Sequence, residues 1–275
     1  MDDIIHPTIK DGWFTETSDL WPGQAMALKV DEILHYEKSK QHDILLFKTA
    51  NYGTVFVLDN VIHCTEYDEI FYHEMITHLA MASLPNSRNV LVIGGGDGGV
   101  PREAIKHPSV EETIVHAPKK YLPGMSLVLN HAAVKVHISN ELEFLADKHN
   151  QFDVILADDL DPSKKMFQKS YFELFNTALR EEGIIAAQEN MLTPTPIRRH
   201  TKPFSPVVEY TYTPPSTYPS GQTGFLICSK NPSQDIKQPL RSWTREEEGR
   251  LCCYYNRDVH QVNFIQPNFA RRSLA

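Results

Sequence analysis

The feature that most constrains the fold is an apolar run that leads directly into a loop of glycines. Residues 90–93 are all apolar, and Gly-Gly-Gly-Asp-Gly-Gly follows them at 94–99. Pro101 then stands near the first turn of a helical segment, where its missing N–H costs no hydrogen bond. A buried strand, a glycine turn and a helix are typical of doubly wound α/β domains, whose ligands bind at the strand ends. The alternative is a glycine-rich turn that binds nothing.

The rest of the chain alternates strands and helices after a strand-rich start. Up to about Asp68, short apolar or alternating runs predict antiparallel strands. Asp59-Asn60 predicts a tight hairpin turn, because both residues tolerate positive φ angles. From Glu69 the apolar residues recur at helical spacing. Further strands are predicted at 112–116, 135–138, 153–157, 184–188, 207–212 and 224–229, and helices at 140–148, 169–179 and 244–255. We therefore expect an antiparallel β domain followed by a doubly wound α/β domain.

Composition excludes several classes of protein. The apolar runs are far shorter than the ~20 residues of a bilayer span, and the N-terminal segment has no apolar signal-peptide core. Four cysteines without a CxxC pair argue against a zinc site or a disulfide framework. A formal net charge of −8 without a long basic run argues against nucleic acid as a partner and favours small cations as ligands. We expect a soluble cytoplasmic protein that binds neither membrane nor nucleic acid.

Acidic residues occur where an α/β domain builds its ligand site. Asp97 lies within the glycine loop, where it would repel a pyrophosphate but would suit a cation. Asp158, Asp159 and Asp161 follow an apolar strand, at its carboxyl end. Carboxylates there can pair with ammonium groups and can take a proton from an amine. The alternative is a solvated acidic turn that caps a helix.

The usual ribose-binding acid is absent. In nucleoside-binding Rossmann domains, an Asp or Glu about 20 residues after the first glycine holds the ribose hydroxyls. Residues 114–120 occupy that window without an acid, and Glu111 and Glu112 lie at the opposite end of the strand. Recognition of a nucleoside by the standard contact is therefore not expected.

Several ordered motifs resemble the eukaryotic spermidine synthases, a family of polyamine aminopropyltransferases. They are Gly-Trp-Phe at 12–14, Leu-Trp-Pro-Gly-Gln-Ala at 20–25, Tyr-His-Glu-Met at 72–75, the glycine loop, Asp161-Pro162, Tyr-Pro-Ser-Gly-Gln at 218–222, and the stretch from 254 to 271. The resemblance runs nearly end to end. It implies a β domain at 1–68, which serves oligomerisation and forms part of the substrate cleft. It also implies a methyltransferase-like Rossmann domain at 69–275, and a homodimer or homotetramer.

The resemblance also implies a reaction and the residues for it. An aminopropyl group would move from the co-substrate decarboxylated S-adenosylmethionine to putrescine, giving spermidine and methylthioadenosine, with neither metal nor cofactor. Asp158 matches the catalytic aspartate that removes a proton from the attacking amine. Putrescine would bind Trp21, Tyr72, Asp161 and Tyr218. The donor would bind His42, His63, His73, Gly94, Gly96, Asp97 and Asn140, with Asp97 holding its aminopropyl amine.

The chain departs from the family pattern around the donor pocket. The ribose-binding acid of the family, and the helix that follows it there, are missing at residues 117–120. Asn140 is neutral where an acid is expected. Lys-Lys at 164–165 puts positive charge where cations should enter, and the expected glutamines are replaced by His42 and His63. Loss of two acidic contacts predicts donor binding weaker by about 10² to 10⁴-fold.

Three interpretations therefore stay open. The first is an active spermidine synthase with a rebuilt donor pocket. The second is a catalytically inactive paralogue, a structural or regulatory subunit in a hetero-oligomer with an active relative. The third is a chain that lacks coding segments, since the losses fall around one cleft. A methyltransferase is disfavoured, because it would need the adenosine recognition that this chain lacks. Putrescine is favoured over longer polyamines as the acceptor.

Overall fold

A computed structural model describes residues 6–17, 22–38, 42–116, 125–139, 141–158, 169–189, 205–218, 221–268 and 271–272. The chain divides into two compact units. The first, here called the N-terminal unit, comprises Met1–Ile70 with Pro214–Gln222, and the second, the central-sheet unit, comprises Phe71–Thr213 with Thr223–Ala275. None of the helices in the described ranges has the length and apolar character needed to cross a membrane.

The N-terminal unit contains two antiparallel sheets. The first has the order β1-β2-β3, with β1 at Ile9–Lys10, β2 at Trp13–Thr17 and β3 at Ala25–Lys29. The second has the order β4-β5-β6-β7, with strands at Glu32–Lys38, Asp43–Thr49, Gly53–Leu58 and Val61–Thr65. Their shared core is built from Phe14, Leu28, Leu45, Phe47, Val55, Val57 and Ile62. The predicted β-rich start is thus confirmed.

The hairpin between β6 and β7 has the predicted turn. Leu58 pairs with Val61, so Asp59 and Asn60 are the two loop residues. Their φ angles are 53° and 66°. Positive φ at both positions is the mark of the type I′ turn, whose twist matches that of the flanking strands. The local sequence was sufficient here, because the turn depends on two residues alone.

The central-sheet unit is built on a seven-stranded sheet of order β10-β9-β8-β11-β12-β14-β13. The strands from β8 to β12 lie at Asn89–Ile93, Glu112–His116, Val134–His137, Phe152–Ala157 and Leu179–Glu189, and all of them pair in parallel. β13 (Val207–Thr213) and β14 (Thr223–Ser229) complete the sheet as an antiparallel pair. The doubly wound arrangement is the predicted one, and the structure adds to it an antiparallel edge that was not predicted.

Helices precede, connect and follow these strands. They are α1 (Glu69–Ala82), α2 (Gly99–Ala104), α3 (Glu141–Ala146), α4 (Lys169–Ala178), α5 (Arg245–Leu251) and α6 (Arg257–Val262). Between β9 and β10 the described part of the connection forms a 3-10 helix at Met125–Asn130. The core includes Leu91, Ile93, Phe152, Ile155, Phe172, Phe175, Ile185 and Leu226.

The predicted helix at 244–255 ends early: α5 stops at Leu251, and residues 252–255 are not helical and lead to α6. Cys252 has φ −126° and ψ 146°, outside the helical region. The buried Glu74 carboxylate accepts hydrogen bonds from the N–H groups of Cys253, Tyr254 and Tyr255, each at 2.8 Å. Those N–H groups therefore bond to a side chain on α1, a contact that local periodicity cannot show.

Candidate active site

The candidate site lies at the carboxyl ends of β8 and β11, which are neighbours in the sheet. Ile93 pairs with Ala157, so the glycine loop and Asp158 leave the sheet side by side. The Asp158 N–H donates a hydrogen bond to the Ile93 carbonyl oxygen at 2.8 Å. Asp158 is 6% exposed. This edge of a parallel sheet is where α/β domains bind ligands.

The glycine loop requires residues without side chains. Gly94 and Gly95 have φ angles of 86° and 66°, in the left-handed region that favours glycine. A Cβ on Gly94 would overlap the Asp158 carbonyl oxygen, and a Cβ on Gly95 would lie 3.6 Å from Asp158 Oδ2. The loop backbone thus runs directly against Asp158. Gly96 continues the same loop.

The Asp97 carboxylate is held at both oxygens. Its Oδ1 accepts the Gly99 N–H at 2.8 Å, and its Oδ2 lies 3.1 Å from His73 Nε2, which donates to it. Burial raises the pKa of Asp97, but the charge and hydrogen bond of His73, the Gly99 N–H and the charge of Arg102 together lower it to about 2. Asp97 is therefore an anion at neutral pH and can bind a cation.

His73 reaches Asp97 because the start of α2 leaves room for its ring. A Cβ on Gly99 would overlap the His73 imidazole. His73 is 2% exposed, on the buried face of α1. The last glycine of the loop thus provides the space for the side chain that holds the acid of the same loop.

Tyr72 lies next to His73 on α1 and contacts the neighbouring strands. Its hydroxyl donates a hydrogen bond to Gln188 Oε1 at 3.3 Å, near the carboxyl end of β12. Its ring packs edge-to-face on Phe225, with centroids 5.3 Å apart. The central-sheet unit therefore places Tyr72, Asp97 and Asp158 on elements that meet at one edge of its sheet.

Other predicted site residues belong to the N-terminal unit. His42 Nδ1 lies 2.9 Å from Asp59 Oδ2, and His63 lies on β7 with its ring 5.7 Å from that of Phe56. The backbone carbonyl oxygen of Tyr218 accepts a hydrogen bond from the Gly221 N–H at 2.7 Å. Trp21, Asn140 and Asp161 lie outside the described residues, as do 117–120 and 164–165.

The Tyr218 segment is held by a buried carboxylate far from it in sequence. Asp68 Oδ2 accepts hydrogen bonds from Ser216 Oγ at 3.1 Å and from the N–H and hydroxyl of Thr217, both at 2.8 Å. The other oxygen of Asp68 accepts from the Thr65 hydroxyl at 2.7 Å. These bonds explain why 214–222 joins the N-terminal unit, which the sequence did not indicate.

Two further residues of the site were not among the predicted ones. Gln188 partners Tyr72, and Arg102 lowers the pKa of Asp97. Gln188 could have been found from its place near the end of a parallel strand, as Asp158 was. Arg102 could not, because its effect depends on how α2 is oriented. Within the described ranges, no cluster of three or more His, Cys, Asp or Glu is arranged to hold a metal ion.

Comparison with known proteins decides the family. Residues 69–238 match the spermine/spermidine synthase domain, and residues 12–66 match the spermidine synthase tetramerisation domain. The chain belongs to the spermine/spermidine synthase family. The predicted resemblance is confirmed, and with it the family's transferase class.

Relatives of known name in this family match over almost the whole chain. A spermidine synthase of Schizosaccharomyces pombe is 47% identical over 287 residues, covering 98% of this chain and 96% of that one. A spermidine synthase of Dictyostelium discoideum is 40% identical, covering 97% and 98%. A spermine synthase of Saccharomyces cerevisiae is 39% identical, covering 98% and 97%. The 287 aligned positions exceed the 275 residues of this chain, so some positions of the first relative have no counterpart here.

Solved structures of the family have the same fold. The crystal structure of spermidine synthase from Thermotoga maritima has a TM-score of 0.84 and 30% identity, covering 95% of this chain and 94% of that one. A spermidine synthase in complex with the transition-state analogue AdoDATO also has a TM-score of 0.84, with 29% identity and the same coverage. The fold class predicted from the sequence is therefore correct.

Proposed function

We propose that this chain is a spermidine synthase, which transfers an aminopropyl group from decarboxylated S-adenosylmethionine to putrescine. The observation that carries the proposal is the pair of carboxylates in a member of this family, with Asp97 inside the glycine loop and Asp158 packed against the backbone of that loop. Both proposed substrates are cations, and acidic groups at this edge suit them. Spermidine and methylthioadenosine are the products.

Asp158 is proposed as the base. A primary amine is protonated at neutral pH, so a proton must leave before its nitrogen can attack. Asp158 takes that proton, and the nitrogen lone pair then forms a bond to the aminopropyl carbon attached to the sulfonium. The carbon–sulfur bond breaks, its electron pair passes to sulfur, and the neutral thioether methylthioadenosine leaves. The sulfonium is already an activated leaving group, so this step as proposed needs no metal or other cofactor.

Asp97 is proposed to hold the ammonium of the donor's aminopropyl arm. It is an anion throughout the neutral range, since its pKa is about 2. His73, Gly94 and Gly96 would complete this part of the donor site. The family resemblance adds His42, His63 and Asn140 to the donor site.

Putrescine is proposed to lie along Tyr72, with Trp21 and Tyr218 as further walls and Asp161 on its far ammonium. Support for Tyr72 comes from its anchoring by Gln188 and Phe225 at the same sheet edge. A longer acceptor is the competing choice, because a spermine synthase is among the relatives. Assays with spermidine in place of putrescine distinguish the two.

The N-terminal domain, 1–68, is proposed to form a homodimer or homotetramer and to contribute part of the substrate cleft. Its match to a tetramerisation domain supports this assembly. The cytoplasm is the proposed compartment, because both substrates are soluble charged molecules. A hetero-oligomer with an active paralogue would be the role left for an inactive chain.

The test is aminopropyl transfer by the purified chain, with spermidine and methylthioadenosine both quantified. Asp158→Asn should abolish turnover. Asp153→Asn is the matched control, because Asp153 lies near the start of β11, the strand that Asp158 follows. It binds the N–H groups of Arg88 and Asn89 and the Arg180 side chain. Turnover that survives in the control and not in Asp158→Asn supports the proposal. No turnover from the folded wild-type chain would refute it and favour the inactive subunit.

A further inference from the structure

A buried chain of hydrogen bonds runs between α1, α2 and the segment before α5. Arg241 Nη2 contacts His107 Nδ1, and His107 Nε2 lies 2.9 Å from His78 Nδ1. His78 Nε2 lies 3.1 Å from Glu103 Oε2. His78, Glu103 and His107 are each 3% exposed or less. The proposed chemistry uses none of these four groups.

The hydrogen-bond partners define which ring nitrogens of His107 and His78 carry a proton. A guanidinium has only donors, so His107 Nδ1 accepts from Arg241, and the proton of a neutral His107 is on Nε2. His107 Nε2 then donates to His78 Nδ1, which leaves the His78 proton on Nε2, facing the Glu103 carboxylate. We assign these protons from the partners. Both imidazoles are neutral, and every hydrogen bond points from Arg241 towards Glu103. Burial lowers the pKa of His107, in agreement with a neutral ring.

This series of hydrogen bonds joins α1 and α2, the same two helices that hold Asp97. His73 and His78 both lie on α1, while Glu103 lies on α2, which begins directly at the end of the glycine loop. The contacts of His73 with Asp97 and of His78 with Glu103 are thus two links between one pair of chain segments. Glu103 also accepts a hydrogen bond from Arg102 Nε at 3.0 Å, and Arg102 is one of the charges that act on Asp97.

Resting on the proposed function, we propose that His78, Glu103, His107 and Arg241 are positioning residues for the donor's aminopropyl ammonium. They fix α1 against α2 and so hold the Asp97 carboxylate in place between its two partners. They touch no substrate themselves. Loss of the chain of hydrogen bonds weakens the hold on the ammonium while leaving the contacts to the rest of the donor.

Two ligands, decarboxylated S-adenosylmethionine and methylthioadenosine, distinguish a weaker hold on the ammonium from weaker binding of the rest of the donor. Methylthioadenosine shares the donor's adenosine part but lacks the aminopropyl arm. Calorimetric titrations of the full chain measure Kd for each. His78→Leu removes both hydrogen bonds of the ring, and we expect Kd for decarboxylated S-adenosylmethionine to rise about tenfold or more. Kd for methylthioadenosine should stay within about twofold. His78→Gln can donate to Glu103 and accept from His107, so it should restore most of the donor affinity.

Asp153→Asn is the control for loss of stability alone. It removes part of a hydrogen-bonded carboxylate in the same unit, at the opposite end of β11 from Asp158. We expect it to lower the thermal midpoint without changing the ratio of the two Kd values. If His78→Leu does not fold, it is replaced in the comparison by Arg241→Met, which removes the hydrogen bond at the other end of the series.

The outcomes are distinct. A selective loss of donor affinity, rescued by His78→Gln, supports the positioning role. Equal weakening of both ligands, or no weakening in a folded variant, overturns it while leaving the proposed function intact. If the folded wild-type chain binds neither ligand, the proposed function fails, and the positioning role fails with it.

Discussion

Asp97 and Asp158 lie close to the same glycine loop backbone but are held in different ways. Asp97 lies inside the loop, where His73 and Gly99 hold its two oxygens. Asp158 ends a buried strand, and its backbone N–H is tied to Ile93. The first arrangement suits an acid that must stay charged, and the second places an acid at a strand end, where a substrate can approach.

Replacing Asp97 tests its role as the ammonium ligand. We expect Asp97→Asn to raise KM for the donor about 10- to 100-fold, because a charge-assisted hydrogen bond contributes ~1.5–3 kcal/mol. The pKa of about 2 means that the wild-type KM should not change through this group across the neutral range. Initial rates at saturating putrescine measure KM for the donor, in the variant and in the wild-type chain at a series of pH values. An unchanged KM in a folded variant would contradict the assignment.

His260 should make the protein less stable in acid. Its ring is buried, and burial lowers its pKa from 6.5 to about 4, although the Ile236 carbonyl and Asp235 oppose this. Between these two values the unfolded chain binds the proton more readily than the folded chain. The contribution of the neutral His260 to the unfolding free energy is therefore fully present above pH 6.5 and is lost as the pH falls to about 4. The loss attributable to this group is about 3 kcal/mol.

Urea unfolding at a series of pH values measures this loss. His260→Gln can keep both hydrogen bonds without titrating, so its unfolding free energy should fall less steeply between about pH 6.5 and pH 4. Val262→Ala, at an exposed residue of the same helix that carries no titratable group, is the control and should leave the slope unchanged. Equal slopes for wild type and His260→Gln would show that His260 does not cause the loss.

At the scale of elements, the glycine loop depends on two separate constraints. One is the left-handed backbone, and the other is the close approach of Asp158. Gly12 shares the first constraint, with φ 77°, but a Cβ there would meet only Lys29 atoms at 3.7 Å or more. The two positions therefore allow the constraints to be measured apart.

Alanine substitution at Gly12 and at Gly94 compares backbone strain alone with backbone strain and close packing together. Gly12→Ala should cost about 1–2 kcal/mol of unfolding free energy and leave turnover unchanged, since only backbone strain is added. Gly94→Ala should cost more and lower kcat by about 10²-fold or more, because Asp158 must move. Urea unfolding and the transfer assay measure both. Equal loss of activity in the two variants would argue against close packing as the cause.

The break between α5 and α6 depends on Glu74. We expect Glu74→Gln to lower the unfolding free energy by about 2–4 kcal/mol, because three N–H groups, among them that of the buried Tyr255, lose a charged acceptor. Hydrogen exchange of the Cys253, Tyr254 and Tyr255 amides should become faster in this variant. Glu246→Gln, on the exposed face of α5, is the control. Unchanged exchange at the three amides would contradict the role of Glu74.

At the scale of the whole molecule, the N-terminal unit exposes apolar side chains that an assembly would cover. Trp13, Leu34 and Val61 are 45%, 42% and 39% exposed. All three belong to the region that matches a tetramerisation domain. We therefore expect an interface between subunits to cover part of this exposed apolar surface.

Light scattering after size exclusion tests this assembly. The wild-type chain should elute as a homo-oligomer, a dimer or a tetramer of the 31.4 kDa chain. Leu34→Asp should shift the population to smaller species, because it would place a charge in an apolar interface. Leu240→Asp, at an apolar residue 62% exposed in the central-sheet unit, is the control and should not. A wild-type monomer would contradict the prediction.

The sequence by itself determined the features that depend on neighbouring residues. The apolar run before Gly94 predicted β8, its loop and α2, and Asp59-Asn60 predicted the hairpin. These succeeded because backbone preference and hydrophobic periodicity act over a few residues. Ordered motifs along the chain were enough to indicate the family and to select Asp97 and Asp158.

Only the tertiary structure decided which distant residues hold these features in place. Asp68 fastens the Tyr218 segment, and Glu74 separates α5 from α6. The buried chain from Arg241 to Glu103 is of the same kind. Each is a hydrogen bond or set of hydrogen bonds between groups far apart along the chain. Their partners become neighbours only when the sheet and helices pack, so no local pattern encodes them.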